Sequence, residues 1–154
     1  MPTRHTLRPT ARLAGQTALL LGLAAGLLPH SQAAAPGCVD VEVQNVRPKE
    51  GLVMVAVYAD EATFRKQTLK SLRLPAGEQA VQRFELCELG LPAGANVSLV
   101  LFQDLNSDGK LNANFMGIPN EPWGASGTPG LMGPQWATTA VPLNGSAIVV
   151  KLSQ

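Results

Sequence analysis

The sequence LVMVAVY, residues 52–58, is apolar at every position, so an extended segment here has no polar face. Runs of this kind are typical of central strands that are covered on both sides. A second strongly apolar run, VSLVLF at residues 97–102, leads directly into an acidic loop. We expect both runs to form strands at the centre of a β-rich domain, with the acidic loop at the tip of the second strand.

Weaker strand patterns lie on either side of these two runs. Residues 39–43, VDVEV, alternate apolar and acidic side chains with the two-residue period of a half-buried strand. The polar bend at residues 48–51 predicts a hairpin between this strand and the first apolar run. Residues 60–72 predict a short helix or an irregular crossover, and residues 117–133, rich in Gly and Pro, predict a long loop. Further strands are predicted at residues 79–86, 137–141 and 147–152.

About seven short strands and at most one short helix indicate an all-β fold. We expect an antiparallel two-sheet sandwich, either immunoglobulin-like or prealbumin-like. A small closed barrel would give much the same pattern. Residues 34–154 suit a single domain of this kind, and we expect it to be a monomer.

The N-terminus has the order of features found in an export signal. Three arginines within the first 12 residues precede an apolar run at residues 18–28, and small residues follow it. The run is shorter than the roughly 20 residues that a permanent membrane-spanning helix needs. We therefore expect a signal peptide at residues 1–33, cleaved after Ala33, which leaves a periplasmic or secreted protein without a transmembrane segment. The competing interpretation, a lipid anchor on Cys38, lacks the leucine expected three positions earlier.

The charge and histidine content of residues 34–154 exclude several classes of function. All 11 acidic residues lie beyond position 33, whereas three of the 12 basic residues precede it, which leaves a net charge of about −2. This composition excludes a basic surface for nucleic acid. Both histidines, His5 and His30, precede the expected cleavage site. Histidine catalysis and histidine-ligated zinc are therefore excluded for the processed chain.

The two cysteines, Cys38 and Cys87, predict one disulfide, because an even number of cysteines in an exported domain usually pairs. The bond would close a loop of about 50 residues and contribute roughly 4 kcal/mol in the chain-entropy model. Redox catalysis favours a close C-x-x-C pair, and a metal site with two cysteines would lack partner ligands. We expect a structural role.

The acidic loop, DLNSDGKLNANFMGIP at residues 104–119, has the spacing of a calcium-binding loop over its first nine positions. In such loops, side-chain oxygens at positions one, three and five converge, a glycine at six bends the chain, and position seven offers its carbonyl. The usual glutamate at position twelve is replaced by Phe115, and a later acidic residue is the candidate substitute. The candidate metal ligands are Asp104, Asn106, Asp108, Lys110, Asn112, Asn114 and Glu121.

Two interpretations of this loop remain open. With only two formal charges, calcium would bind weakly, with a dissociation constant of roughly 10⁻⁴ to 10⁻³ M; no other cofactor is expected. Alternatively, the Asp and Asn side chains bond to the nearby backbone in a metal-free turn, with Gly109 at positive φ.

Residues 91–122, LPAGANVSLVLFQDLNSDGKLNANFMGIPNEP, resemble the signature of a family of exported bacterial proteins known as domain-of-unknown-function family 2141. The resemblance is fainter over the rest of residues 34–154. It implies a compact exported β-sandwich and brings no established enzyme activity. Proteins similar to this one often have a histidine where Gln103 stands. The matching loop positions are Asp104, Asn106, Asp108, Gly109, Lys110, Leu111, Asn112, Asn114, Gly117, Pro119 and Glu121.

Two classes of function are compatible with these features. We favour a non-catalytic exported module that binds an envelope or extracellular partner or acts as an accessory protein. The alternative is a small glycan hydrolase that uses Asp104, Asp108 and Glu121 as acid and base. Trp123 and Trp136, which flank the Gly-rich loop, are a candidate platform for a glycan or an apolar ligand. They would otherwise cover the open end of the sandwich.

Overall fold

The computed structural model describes residues 37–130 and 132–153, which form an all-β sandwich of two sheets with one short helix. This confirms the predicted fold class. The expected signal peptide lies outside the described residues. The strands are β1 Cys38–Gln44, β2 Leu52–Tyr58, β3 Lys70–Pro75, β4 Val81–Cys87, β5 Asn96–Asp104, β6 Trp123–Ala125, β7 Val141–Pro142 and β8 Ile148–Lys151; the helix is α1 Trp136–Thr139.

One sheet has three strands in the order β4-β1-β8, and the other has the order β3-β2-β5-β6 with β7 also paired to β5. Strands β1 and β8 run parallel, and the other strand pairs of the described chain run antiparallel. The two apolar runs of the sequence are neighbours, since β2 pairs with β5 along its whole length. In the described part of the chain, no helix has the length and apolar character needed to cross a membrane.

The core lies between the two sheets and is built from alternate residues of their central strands. Along β1 and β2 every second residue is buried, because side chains of a strand point to opposite faces in turn. The buried apolar cluster includes Val39, Val41, Val43, Val53, Val55, Val57, Val97, Leu99, Leu101, Ile148 and Val150.

The predicted hairpin between β1 and β2 is wrong. The two strands lie in different sheets, so the bend between them carries the chain from one sheet to the other. Lys49 and Gly51 both adopt positive φ in this bend, and the N–H of Val46 donates to the carbonyl of Ala80. The sequence showed the polar bend. Whether the strand after it pairs with β1 or enters the other sheet depends on pairing partners that are distant along the chain.

Three other segments also differ from the sequence prediction. Residues 60–69 form turns, as in the irregular-crossover alternative, and residues 70–72 begin the edge strand β3, in which Leu72 and Leu74 alternate with polar residues. The Gly-rich segment contains β6, which pairs with β5. Residues 136–139 form α1, and only Val141–Pro142 is a strand there. The hydroxyl of Thr139 donates to the carbonyl of Gln135, 2.7 Å away, and forms part of this helical turn.

The predicted disulfide between Cys38 and Cys87 is present, with an S–S distance of 2.03 Å. The two residues face each other across β1 and β4. They lie at the end of the sandwich opposite the acidic loop, because Asp104 pairs with Leu52 at the start of β2. The sulfur bridge and the candidate site therefore occupy opposite ends of the domain.

Candidate functional site

Asp104, the last residue of β5, is fully buried and organises the start of the acidic loop. Its Oδ1 accepts the N–H of Asp108 at 3.1 Å, and its Oδ2 accepts the N–H of Gly109 at 2.7 Å. Gly109 has φ +81°, as predicted for the bend at position six. The loop therefore folds back over the carboxylate at the strand end.

Asp108 is the exposed centre of a local hydrogen-bond network. Its N–H donates both to Oδ1 of Asp104 and to Oδ1 of Asn106, the latter at 3.2 Å. Oxygens at positions one and three of the loop therefore approach the same donor. Its Oδ1 accepts the N–H of Lys110, and its Oδ2 accepts the side-chain amides of Asn106 and Asn112, both at 3.1 Å. The hydrogen bond from Asn112 is the main cause that lowers the pKa of Asp108 below its ordinary value. This carboxylate is therefore ionised at neutral pH.

Glu121 folds back onto the acidic loop but reaches its backbone. The side chain is buried, and its two oxygens accept the N–H groups of Leu105 at 2.9 Å and of Asn112 at 2.8 Å. Hydrogen bonds to a charged acceptor are stronger than neutral ones. Glu121 thus joins the two sides of the loop.

Replacing Glu121 with glutamine should separate these two sides. The amide has a single oxygen, so the N–H of Leu105 or of Asn112 would meet an NH₂ group instead of an acceptor. We expect Glu121→Gln to lower the free energy of unfolding by about 2 kcal/mol, measured by urea denaturation. Glu61→Gln, at an exposed residue, is the control and should cost less than about 0.5 kcal/mol. Equal effects of the two substitutions would contradict this role.

Asn112 contains an unsatisfied polar atom. Its N–H binds Glu121 and its side-chain NH₂ binds Asp108. Within residues 37–130 and 132–153, its Oδ1 is the one buried side-chain polar atom without a hydrogen-bond partner. A buried acceptor without a partner costs roughly 1 to 3 kcal/mol, so this oxygen is the polar atom of the loop whose hydrogen bonding is incomplete.

Asn114 does not point into this network. Its Oδ1 accepts the N–H groups of Met116 and Ile118 at 2.9 and 3.0 Å, and its own N–H donates to the carbonyl of Ile118. Together with the bridge between Ala113 and Pro119, these bonds form a small hairpin at residues 112–120, here called the tip hairpin.

Gln103 is a structural residue whose role the sequence did not predict. It is fully buried, and its Oε1 accepts the N–H of Arg47 at 2.8 Å. Its Nε2 donates to the carbonyls of Arg47 and Glu50. The side chain thus binds the crossing between the two sheets to the end of β5. Its position in the sequence, two residues after the buried Leu101, was the available indication that it points into the core.

The two tryptophans lie at separate places on the sandwich. Trp123, in β6, is paired with Phe102. Trp136 packs edge-on against Phe64, with ring centroids 6.0 Å apart, and α1 is bound to β5 through a hydroxyl hydrogen bond at Ser98. Ser98 and Phe102 are four positions apart on β5, about 13 Å along the strand. The segments that carry the two tryptophans are therefore attached to different parts of β5.

The end of the sandwich that carries the disulfide also has a pocket of about 650 Å³. Its lining includes Cys38, Leu89, Leu91 and Leu143. Beside it, Cys38, Cys87 and Glu85 place their ligand atoms within 4.8 Å of one another, the one such group of His, Cys, Asp or Glu among the described residues. Because both sulfurs are in the disulfide, they offer no thiolate to a metal.

Residues 41–151 match the sequence profile of a family described as "Uncharacterized protein conserved in bacteria (DUF2141)". The match includes both sheets, the acidic loop and the tip hairpin. Searches of curated proteins and of solved structures found no match. Because the matched residues cover well over half of the sequence, the chain belongs to the DUF2141 family.

Proposed function

We propose that this protein is an exported, non-catalytic module that binds calcium weakly through its acidic loop and serves as a binding or accessory protein of the cell envelope. The observation that carries the proposal is the buried, unpartnered Oδ1 of Asn112, at position nine of a loop with calcium-type spacing. At the start of the same loop, oxygens of Asp104 and Asn106 already approach one N–H group, that of Asp108.

The amide groups of the loop can change roles when a cation is present. Asn106 and Asn112 turn their NH₂ groups toward the carboxylate of Asp108. A rotation of either side-chain amide by about 180° would turn its oxygen toward the carboxylate of Asp108 instead. Because the two oxygens are both negatively polarised, this arrangement is favourable only with a cation between them. The proposed ligands are the side chains of Asp104, Asn106, Asp108 and Asn112 with the carbonyl of Lys110. Asn114, which shapes the tip hairpin, and Glu121, which joins the two sides of the loop, would support these ligands from outside.

Export is supported by the disulfide, because disulfides persist in oxidising compartments and are rare in the cytosol. A non-catalytic role is supported by the carboxylates themselves. Both oxygens of Asp104 and both oxygens of Glu121 accept backbone N–H groups, and a group that transfers protons must instead reach a substrate. Glycan hydrolysis by these residues is therefore the less favoured function.

The test is the melting temperature of the protein in chelator and in 10 mM calcium. For a dissociation constant of roughly 10⁻⁴ to 10⁻³ M, the ion should add about 1.4 to 2.7 kcal/mol of stability, which corresponds to about 5 to 10 °C. Asp108→Ala should abolish the shift. Asp60→Ala is the matched control, because Asp60 is also an exposed aspartate that binds a nearby N–H, that of Thr63. It should keep the shift, and an unchanged wild-type melting temperature would overturn the proposal.

The calcium effect should also depend on pH in a defined direction. Since hydrogen bonds, first that from Asn112, lower the pKa of Asp108 from its ordinary 3.8, its ionised form persists to lower pH in the folded state. Stability that depends on this carboxylate is then present above the unfolded pKa and is lost as pH falls through the lower, folded pKa. The calcium-induced shift should be constant between about pH 5 and 7 and should decrease only as pH falls below the ordinary pKa of 3.8.

A further inference from the structure

The tip hairpin displays large apolar side chains to solvent. Phe115 is 97% exposed, Met116 65% and Ile118 53%. We call these three residues the apolar tip. Single exposed apolar residues are ordinary, but a contiguous group marks an interaction site.

The apolar tip is held in a fixed shape by hydrogen bonds of its own. The N–H groups of Asn114, Met116, Gly117 and Ile118 are bonded to acceptors on Asn114 or Ile118. The next residue, Pro119, has no N–H group. Most backbone donors at the tip are thus satisfied without water, which removes much of the penalty for entering an apolar medium.

The size of the apolar tip favours lipid over protein as its partner. A stable interface buries about 800 Å² on each protein, spread over roughly 20 to 30 residues. Three side chains on a narrow hairpin cover far less than that area. A bilayer interface requires no complementary pocket and accepts a small, protruding apolar group.

Positive groups lie beside the base of the tip hairpin. Lys110 is exposed in the acidic loop, and the guanidinium of Arg73 reaches Gly109, where an added Cβ would lie 3.6 Å from it. Asp108 and Glu50 are exposed acidic groups at this end of the sandwich, since Glu50 precedes Gly51 beside the end of β5, whereas Asp104 and Glu121 are buried. Cations near an apolar anchor strengthen contact with anionic lipid headgroups.

We propose that the apolar tip inserts into the interface of a lipid bilayer with anionic headgroups and so attaches the domain peripherally to a membrane. The proposal goes beyond calcium binding and does not depend on it, because the hydrogen bonds that shape the hairpin are made among residues 112–120 themselves. Calcium at the acidic loop would neutralise Asp108 and add to the same attachment.

The test is co-sedimentation of residues 34–154, which contain both sheets and the disulfide, with vesicles. One set is phosphatidylethanolamine with one quarter phosphatidylglycerol, and the other is phosphatidylcholine alone. In chelator, we expect binding to the anionic vesicles that falls at least tenfold in the double variant Phe115→Ser with Met116→Ser. Met132→Ser, at another strongly exposed methionine, should bind within twofold of wild type. Circular dichroism verifies that each variant is folded.

Three results would overturn the proposal. The first is that the wild-type protein binds neither kind of vesicle. The second is that the double variant binds the anionic vesicles as well as the wild type does. The third is that the wild type self-associates, the double variant does not, and neither binds vesicles, which would assign the apolar tip to a protein contact. Vesicle binding is measured in chelator, so it can be observed even if calcium produces no thermal shift. Equally, calcium can produce a thermal shift in a protein that binds no vesicles. Failure of one proposal is therefore distinguishable from failure of the other.

Discussion

Replacing both cysteines, Cys38→Ser with Cys87→Ser, should lower the free energy of unfolding by about 4 kcal/mol. The bond joins residues separated by 49 positions, so its loss frees a long loop in the unfolded chain. It also fixes the end of β4, an edge strand whose one partner is β1. Since small domains are stable by about 5 to 15 kcal/mol, this is the largest effect expected from any change in the described chain.

Urea denaturation of the double variant measures this loss. Wild-type protein treated with a reductant is the parallel sample, because it removes the same bond without changing any residue. Both should show a similarly lower midpoint. A loss below about 1 kcal/mol in both samples would mean that the β1 and β4 pairing stabilises the domain without its covalent link.

Gly51→Ala should be the second most damaging change. Gly51 adopts φ +60°, and a Cβ there would overlap the carbonyl oxygen of Asp104 and lie 2.9 Å from Cα of Leu105. These are backbone atoms at the end of β5, so they cannot move aside as a flexible side chain would. We expect a loss of roughly 3 kcal/mol or more, from left-handed strain together with overpacking.

Gly90→Ala separates the two causes of that loss. Gly90 has φ +66°, nearly the same conformation, but an added Cβ would meet nothing within 4 Å. It should therefore lose only the strain component, about 1 to 2 kcal/mol. Equal losses at Gly51 and Gly90 would contradict the close packing of β2 against the end of β5.

The strands with clear periodicity were predictable from the sequence, and the way they combine was not. The two apolar runs identified the central pair β2 and β5, and the alternation at residues 39–43 identified β1. The parallel pairing of β1 with β8 and the crossing at residues 45–51 depend on contacts between distant segments. Strand β3 has an alternation of Leu72 and Leu74 with Ser71 and Arg73, but the prediction grouped Leu72 with the preceding turns at helical spacing. Strand β6 is only three residues long, too short to show a period.

The candidate site was likewise predictable from the sequence only in part. The spacing of Asp and Asn around Gly109 predicted a sharp bend with Gly109 at positive φ, and Gly109 has φ +81°. It did not reveal that both oxygens of Glu121 bind backbone N–H groups, or that Asn114 shapes a separate hairpin. Side-chain oxygens look alike in a sequence, and which backbone groups they bind is visible only in the folded chain.

The most direct test of the calcium proposal is an NMR titration of the ¹⁵N-labelled protein with calcium. We expect the amide signals of Asn106, Asp108, Gly109 and Asn112 to shift and saturate with a midpoint of roughly 0.1 to 1 mM, while the signal of Cys87 at the other end stays fixed. Loop signals that remain unmoved at 20 mM calcium, or that drift without saturation together with those of the whole domain, would contradict it.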